Sequence, residues 1–428
     1  MKNRNALFTT ILLTLACFGL SPVALAVSPP PDGGYAGGNT AEGDVALNSF
    51  SPHIRGYGVD NTALGYHTLY TLTTGSDNTA AGYSALFFNN GEENSAFGSY
   101  ALFNNTTGRF NTAIGREALF LNTTGESNTA VGTAALQDNG TGTLNTAVGE
   151  AALFSNTTGD NNAAVGAFAL NKNTTGDANA ALGFFVLFNN TTGDGNAALG
   201  FLALLNNTTG VGNTAMGDGA LYLNDSGDFN TALGSAALFS NTSGSGNIAL
   251  GASAGGGITT VDNVIAIGAV GENVSNSCYI GNIFEQTAAE GIQVFINSNN
   301  KLGTSTSSKR FKEGIKPIGK ASEALFSLKP ISFRYKKEID STGRSQFGLV
   351  AEDVERVSPE LVVRDKEGKP YTVRYDQVNT MLLNEFLKEH KKVEQLEKQV
   401  EALTAGLQKV SAQLELGKAA PQTALNTQ

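Results

Sequence analysis

The sequence predicts a mostly β protein: a trimeric β-roll or β-solenoid of about 17-residue repeats, then a small α+β domain, then a C-terminal coiled coil. Three observations predict it. An Asn-x-Ala-x-Gly core returns along about half of the 428 residues. Charge is split, with a net −14 over residues 1–306 and +4 over 307–428, as expected of two modules with different surfaces. Near the C-terminus, apolar residues recur in steps of 3 and 4.

The chain opens MKNRNALFTTILLTLACFGLSPVALA. Lys2 and Arg4 make a basic start, Ala6 to Leu20 an apolar run, and Ala24-Leu25-Ala26 a small-x-small cleavage site. Residues 1–26 therefore read as a secretory signal peptide, with the mature chain exported from Val27 and secreted or held at the cell surface. No later apolar segment approaches the roughly 20 residues of a membrane-spanning helix, so no transmembrane anchor is expected. With Cys17 in the signal, Cys278 stands alone, and stability must come from packing or assembly rather than disulfides. His53, His67 and His390 are scattered, so neither a metal nor a cofactor is expected. The acidic long module argues against nucleic acid as a partner. Residues 27–60 read as a linker.

Residues 61–282 carry the repeats. The leading Asn recurs from Asn61 and Asn78 through Asn94 and Asn111 to Asn247, in steps of 17 with a single step of 16 between Asn78 and Asn94. An Ala follows two places on and a Gly four places on; a Leu stands eight places on in every unit but the last. Degenerate units follow at Asn263 and at the segment ending in Gly281. Seventeen residues are too few for a helix pair, and the recurrent Gly and Asn-Thr-Thr-Gly disfavour helix. Short strands with turns at Gly and Asn fit instead, one repeat per coil. The small Ala implies a narrow interior. Asn-Thr-Thr is also a glycosylation pattern, but its regular placement reads better as a turn. A flat Thr lattice for ice is not maintained, since the position after the leading Asn varies among Thr62, Ser95, Ala163 and Ile248.

The NTAVG, NTALG and VIAIG cores resemble the head repeats of trimeric autotransporter adhesins. That resemblance implies a β-roll of three chains. A trimer is also expected because the Leu-Phe after each core needs something to bury it.

A last strand and polar neck occupy residues 283–306. Residues 307–380 then read as α+β: a short helix in GKASEALFSL, a strand in PISFRYKKEI, a strand entering a helix in QFGLVAEDVERV, and a hairpin around Lys366-Glu367-Gly368. In the coiled coil, 381–415, Phe386, Val393, Leu396, Val400, Leu403, Leu407, Val410 and Leu414 form the seam, with Glu389 in one core position. Residues 416–428 read as a disordered tail.

The combination SSKRFKEGIKPI, ALFSLKPISFRYK, QFGLVAEDVERVSPELV and YTVRYDQV resembles the C-terminal intramolecular chaperone domain of phage endosialidases and tailspikes. The resemblance implies a trimerising domain that cuts itself off with a Ser-Lys dyad. It places the nucleophile at Ser307, the base at Lys312 and the scissile bond between Thr306 and Ser307. Ser308 stands where the family usually has Asp, and Gly314 where it has Asn. A serine hydroxyl needs a base to take its proton, and lysine serves only when neutral, a state that burial or neighbouring cations favour. Lys309, Arg310 and Lys316 supply such charge, Arg310 as the supporting residue. Ser307 and Lys312 lie about 140° apart on a helix and on opposite faces of a strand. A turn or a second subunit must bring them together.

The resulting expectation is an exported homotrimeric, adhesin-like fibre whose C-terminal domain is a trimerisation chaperone and single-turnover autoproteolytic peptidase. A surface glycan or host-cell ligand would be its partner beyond itself. The alternatives are a retained, non-cleaving chaperone on a surface fibre and a carbohydrate-processing spike. The repeats offer the spike no recurring pair of placed carboxylates.

Overall fold

The computed structural model describes residues 35–49, 58–297 and 299–418. The expected signal peptide and the chain beyond residue 418 lie outside the described residues, as do residues 27–34 and 50–57 of the expected linker. The chain divides between Thr287 and Ala288 into two compact units.

In the first unit, 15 three-residue strands, from β1 (Thr40–Glu42) and β2 (Thr62–Leu64) to β15 (Cys278–Ile280), form one parallel sheet in chain order. The repeat Ala stacks on the repeat Ala, as Ala63 on Ala80 and Ala113 on Ala130. One strand per coil gives a β-solenoid whose sheet extends on the order of 65 Å at ~4.8 Å per coil. It begins one coil before the repeat count does. Asn39-Thr40-Ala41-Glu42-Gly43 is a unit, hidden by its 22-residue distance from Asn61.

Each full coil turns five side chains inward. In the coil opening at Asn111 these are Asn111, Ala113, Ala118, Leu119 and Asn122, all fully buried. Leu119 reaches the interior from a left-handed backbone, φ 54°, and its counterparts do likewise. Such a conformation costs a side-chain-bearing residue roughly 1–2 kcal/mol. Burying a leucine returns ~1.5–3 kcal/mol, so the inward turn is favoured. This corrects the expectation that the Leu-Phe pair needs a second chain. The leucine is buried in its own coil, and the aromatic after it stacks on neighbouring coils. Tyr70, Phe87, Phe103 and Phe120 form such a column at 4.8, 5.1 and 5.3 Å.

The two asparagines form two ladders. Asn111 donates from its backbone N–H (3.0 Å) and from Nδ2 (3.1 Å) to Oδ1 of Asn94, one coil back, and from Nδ2 to the Gly125 carbonyl at 2.9 Å. Asn122 donates to Oδ1 of Asn105 at 2.7 Å and also to Gly125 at 3.1 Å. The glycine carbonyl thus ties the ladders together. The first ladder ends where the Val264 N–H donates to Asn247 Oδ1; Val264, not Asn263, takes the inward position. The second begins at Asn89 and ends at Asn241, between buried Leu72 and Ile258. With Ile258 above it, Asn241 Oδ1 is left without a partner. The Asn of each Asn-Thr-Thr-Gly is therefore a buried rung, out of reach of glycosylation in the folded chain.

Glycine is required at two points per coil. A Cβ on Gly132 (φ 141°) would sit 2.4 Å from the Gly149 carbonyl, and one on Gly125 would sit 2.4 Å from Asn122 Oδ1. The outward positions of the sheet carry no charge from β2 onward, Glu42 of β1 being the exception. From β2 to β15 its third positions are apolar, with Leu64, Phe97, Ile114, Leu182, Leu199 and Leu250 all exposed.

The second unit is sparser. A hairpin of β16 (Val294–Ile296) and β17 (Leu302–Thr304) comes first. A 3-10 helix Gly319–Ser327 follows, then the pair β18 (Ile331–Phe333) and β19 (Gln346–Gly348), helix α1 (Ala351–Val357), and the hairpin β20 (Val362–Arg364) with β21 (Pro370–Val373). Helix α2, Tyr375–Lys418, ends the described chain and runs past the expected boundary at 415. Its seam residues, Val393 to Leu414, are exposed. Among the described residues only Val354, Leu361, Val362 and Val373 form a buried apolar core here. Four residues are too few to hold a unit of this size on their own.

Two substitutions test the ladder and the glycine column. Asn162→Ala removes the acceptor of Asn179 N–H and Nδ2, and should destabilise the shaft by ~2–5 kcal/mol. Gly132→Ala should prevent native stacking of its coil. Denaturant unfolding followed by circular dichroism measures both; an Asn162→Ala shaft as stable as wild type would refute the ladder's role.

Candidate functional site

The segment joining β17 to the 3-10 helix 319–327 contains Thr306, Ser307 and Lys312. Ser308 is extended (φ −63°, ψ 138°), Lys309–Phe311 make one 3-10 turn, and Lys312 is extended again (φ −126°, ψ 137°). Two bonds close the turn: Phe311 N–H to the Ser308 carbonyl at 3.0 Å and Lys312 N–H to the Lys309 carbonyl at 3.1 Å. A regular helix or strand would separate residues five apart, whereas extended–turn–extended folds them back on each other. Lys312 Nζ donates to Ser307 Oγ at 3.1 Å, within one chain. Both side chains are exposed.

The other residues singled out in the sequence surround this pair unequally. Arg310 lies over the ring of its neighbour Phe311 at 4.6 Å, which leaves the turn basic and partly apolar. Ser308 caps the turn by position, without a side-chain cap bond. Gly314 has φ 61° and open space around a Cβ. Glycine and asparagine both tolerate that left-handed conformation, so Gly in place of Asn leaves the local backbone path unchanged.

A second polar cluster has no warning in sequence spacing. Ser322, on the 3-10 helix, is fully buried against α2. Its hydroxyl donates to Glu385 Oε1 and accepts from Asn384 Nδ2 at 2.6 Å. Lys388 Nζ donates to the same Glu385 oxygen at 2.7 Å and pairs with Glu323 at 3.6 Å. The hydrogen bonds from Lys388, then from Ser322, hold the Glu385 carboxyl below the usual carboxylate range. The Glu385 bond, together with the charges of Glu385 and Glu323, raises the Lys388 ammonium against the opposing effect of burial. The only hint in the sequence is Glu385-x-x-Lys388, an ordinary helical pair. The cluster is a clamp. It fixes the segment downstream of the Ser307 turn to the helix that carries the seam.

Residues 307–363 match the family model for the chaperone of endosialidase, and the match opens on Ser307 itself. Neither the curated proteins nor the solved structures searched gave a match. The chain thus places a chaperone-of-endosialidase segment after a β-solenoid.

The clamp has a defined pH window. Glu385, with its lowered pKa, contributes fully above the unfolded value of ~4.3, and its contribution fades as pH falls through the folded value. Lys388, with its raised pKa, contributes below ~10.4 and is lost only as pH rises through its folded value. Between these limits the clamp is intact. Glu385→Gln should flatten the acid limb of a stability–pH profile of the C-terminal unit; an unchanged acid limb would remove the clamp from the account.

Proposed function

We propose that the protein is an exported homotrimeric fibre whose C-terminal domain assembles the trimer and then cuts the chain between Thr306 and Ser307. The observation that carries this reading is the 3.1 Å bond between Lys312 Nζ and Ser307 Oγ, at the first residue of the chaperone-of-endosialidase match. A trimer is supported by what the single chain leaves uncovered. The seam of α2 is exposed along Val393, Leu396, Val400, Leu403, Leu407, Val410 and Leu414, and the core of its unit is small. Three such helices would bury the seam as a coiled coil.

The chemistry balances without a cofactor. Neutral Lys312 Nζ takes the proton of Ser307 Oγ as that oxygen attacks the Thr306 carbonyl carbon. The C–N bond of the tetrahedral adduct breaks, and the same proton passes to the departing Ser307 nitrogen. An ester now joins Thr306 to Ser307 Oγ. Water opens it, leaving a carboxylate on Thr306 and a free hydroxyl and amine on Ser307. Lysine is neutral more readily when desolvated, so packing of a second chain over this exposed turn would link cleavage to assembly. That exposure also favours a second reading, a retained chaperone whose pair stays idle. A released shaft would act outside the cell or in a phage tail, with a surface glycan or host-cell ligand as its target.

Sedimentation of the purified protein should give three chains, and a monomer would sink the assembly reading. Leu403→Asp with Leu407→Asp should leave the repeats aggregated or unfolded. In intact mass, wild type should yield a shaft ending at Thr306 and a fragment of residues 307–428. Ser307→Ala and Lys312→Ala should each stay full-length and trimeric, and Ser308→Ala should still cut. Wild-type trimer that remains uncut would favour the retained chaperone.

A further inference from the structure

The hairpin β16–β17 is built locally. Asn297 closes its turn, its Oδ1 accepting from the N–H groups of Asn299 and Lys301 at 3.0 and 2.9 Å. Pairing sets Val294 opposite Thr304 and Ile296 opposite Leu302. Directly opposed residues share a face, so Val294, Ile296 and Leu302 line one side. All three are bare, at 65%, 66% and 64% exposure. Among the described residues neither strand pairs with a third. A lone two-stranded hairpin is marginal in water, and one with a naked apolar face more so. Something must cover it.

Chain position identifies the cover. β17 ends at Thr304, two residues before the proposed cut, so the hairpin is the last element that a released shaft would keep. Loss of residues 307–428 removes α2 and every other element of the C-terminal domain. Charge cannot hold the shafts, because each exported chain carries a net −16 from Val27 to Thr306 and like charges repel. Between Gly291 and Thr306 the one charged residue is Lys301. We propose that the Val294–Ile296–Leu302 faces of three chains pack on one another as a clasp that keeps the shafts together after the chaperone domain has left. This rests on the trimeric, self-cleaving reading above.

The test separates the clasp from the cut. Ile296→Asp with Leu302→Asp is made in the full chain, alone and with Ser307→Ala. The uncut triple variant should remain trimeric, held by α2. The cut double variant should fall to one third of the wild-type shaft mass in sedimentation, with its β-sheet circular dichroism unchanged. A cut double variant that stays trimeric overturns the clasp. If no chain cuts itself, the cleavage reading fails and Val294→Cys decides the clasp. Oxidation of that uncut trimer should cross-link chains beyond the level of wild type, whose own Cys278 is the control. No added cross-link would overturn the clasp independently.

Discussion

A buried amide must be satisfied, and in this solenoid only the neighbouring coil can do it. A full rung of the first Asn ladder, such as Asn111, accepts two bonds on Oδ1 and gives two from Nδ2, with a glycine carbonyl as the shared partner of both ladders. An interior polar group left alone costs about 1–3 kcal/mol, so a coil lacking its neighbour is penalised twice. What the ladder fixes is the meeting of rungs: even the 22-residue spacing from Asn39 to Asn61 keeps both bonds to Asn39 Oδ1. A Cβ on the stacked glycines would meet a carbonyl at 2.4 Å. Stability is therefore a property of the stack, as in other one-dimensional repeats. Where a rung is missing, the structure substitutes an aliphatic residue, Leu72 at one end and Ile258 or Val264 at the other.

The C-terminal unit follows the opposite rule. Its polar clamp is complete, with Ser322, Asn384, Glu385 and Lys388 mutually bonded, while its apolar surface is not. The clamp fixes the base of α2, and the seam beyond it stands bare. A unit with four buried apolar residues and a long exposed seam has the form of one third of a structure. The Ser307 turn lies inside this incomplete unit, after the β16–β17 hairpin that opens it.

Much of the shaft was legible in the sequence because its constraints are local and repeated. Ala two places and Gly four places after Asn encode the strand and its close stacking. In the second unit, the helix, strand and hairpin signals from Gly319 to Val373 all correspond to observed elements. The asparagines were harder. Turn chemistry accounts for their neighbours, but their own role depends on a partner one coil away, which spacing alone does not distinguish from a surface turn. The leucines read in sequence as surface in need of cover, because the left-handed backbone that turns Leu119 inward leaves no mark in the pattern, though burial outweighs its strain. The Asn39 coil was hidden by its long loop. The Ser307–Lys312 approach needed an irregular turn, and the Ser322 clamp joins residues more than sixty apart with no pattern between them.

The stacking direction has a mechanical consequence. The hydrogen bonds that join coils run between successive coils, so a pull on the two ends of the solenoid loads them in tension. Bonds loaded this way open one layer at a time. Each coil that peels away frees about 17 residues of chain, roughly 50 Å of extended length in place of one ~4.8 Å layer. A pulled shaft would lengthen in steps, and each layer left behind would keep its own bonds until its turn came. Under load the solenoid is a spool.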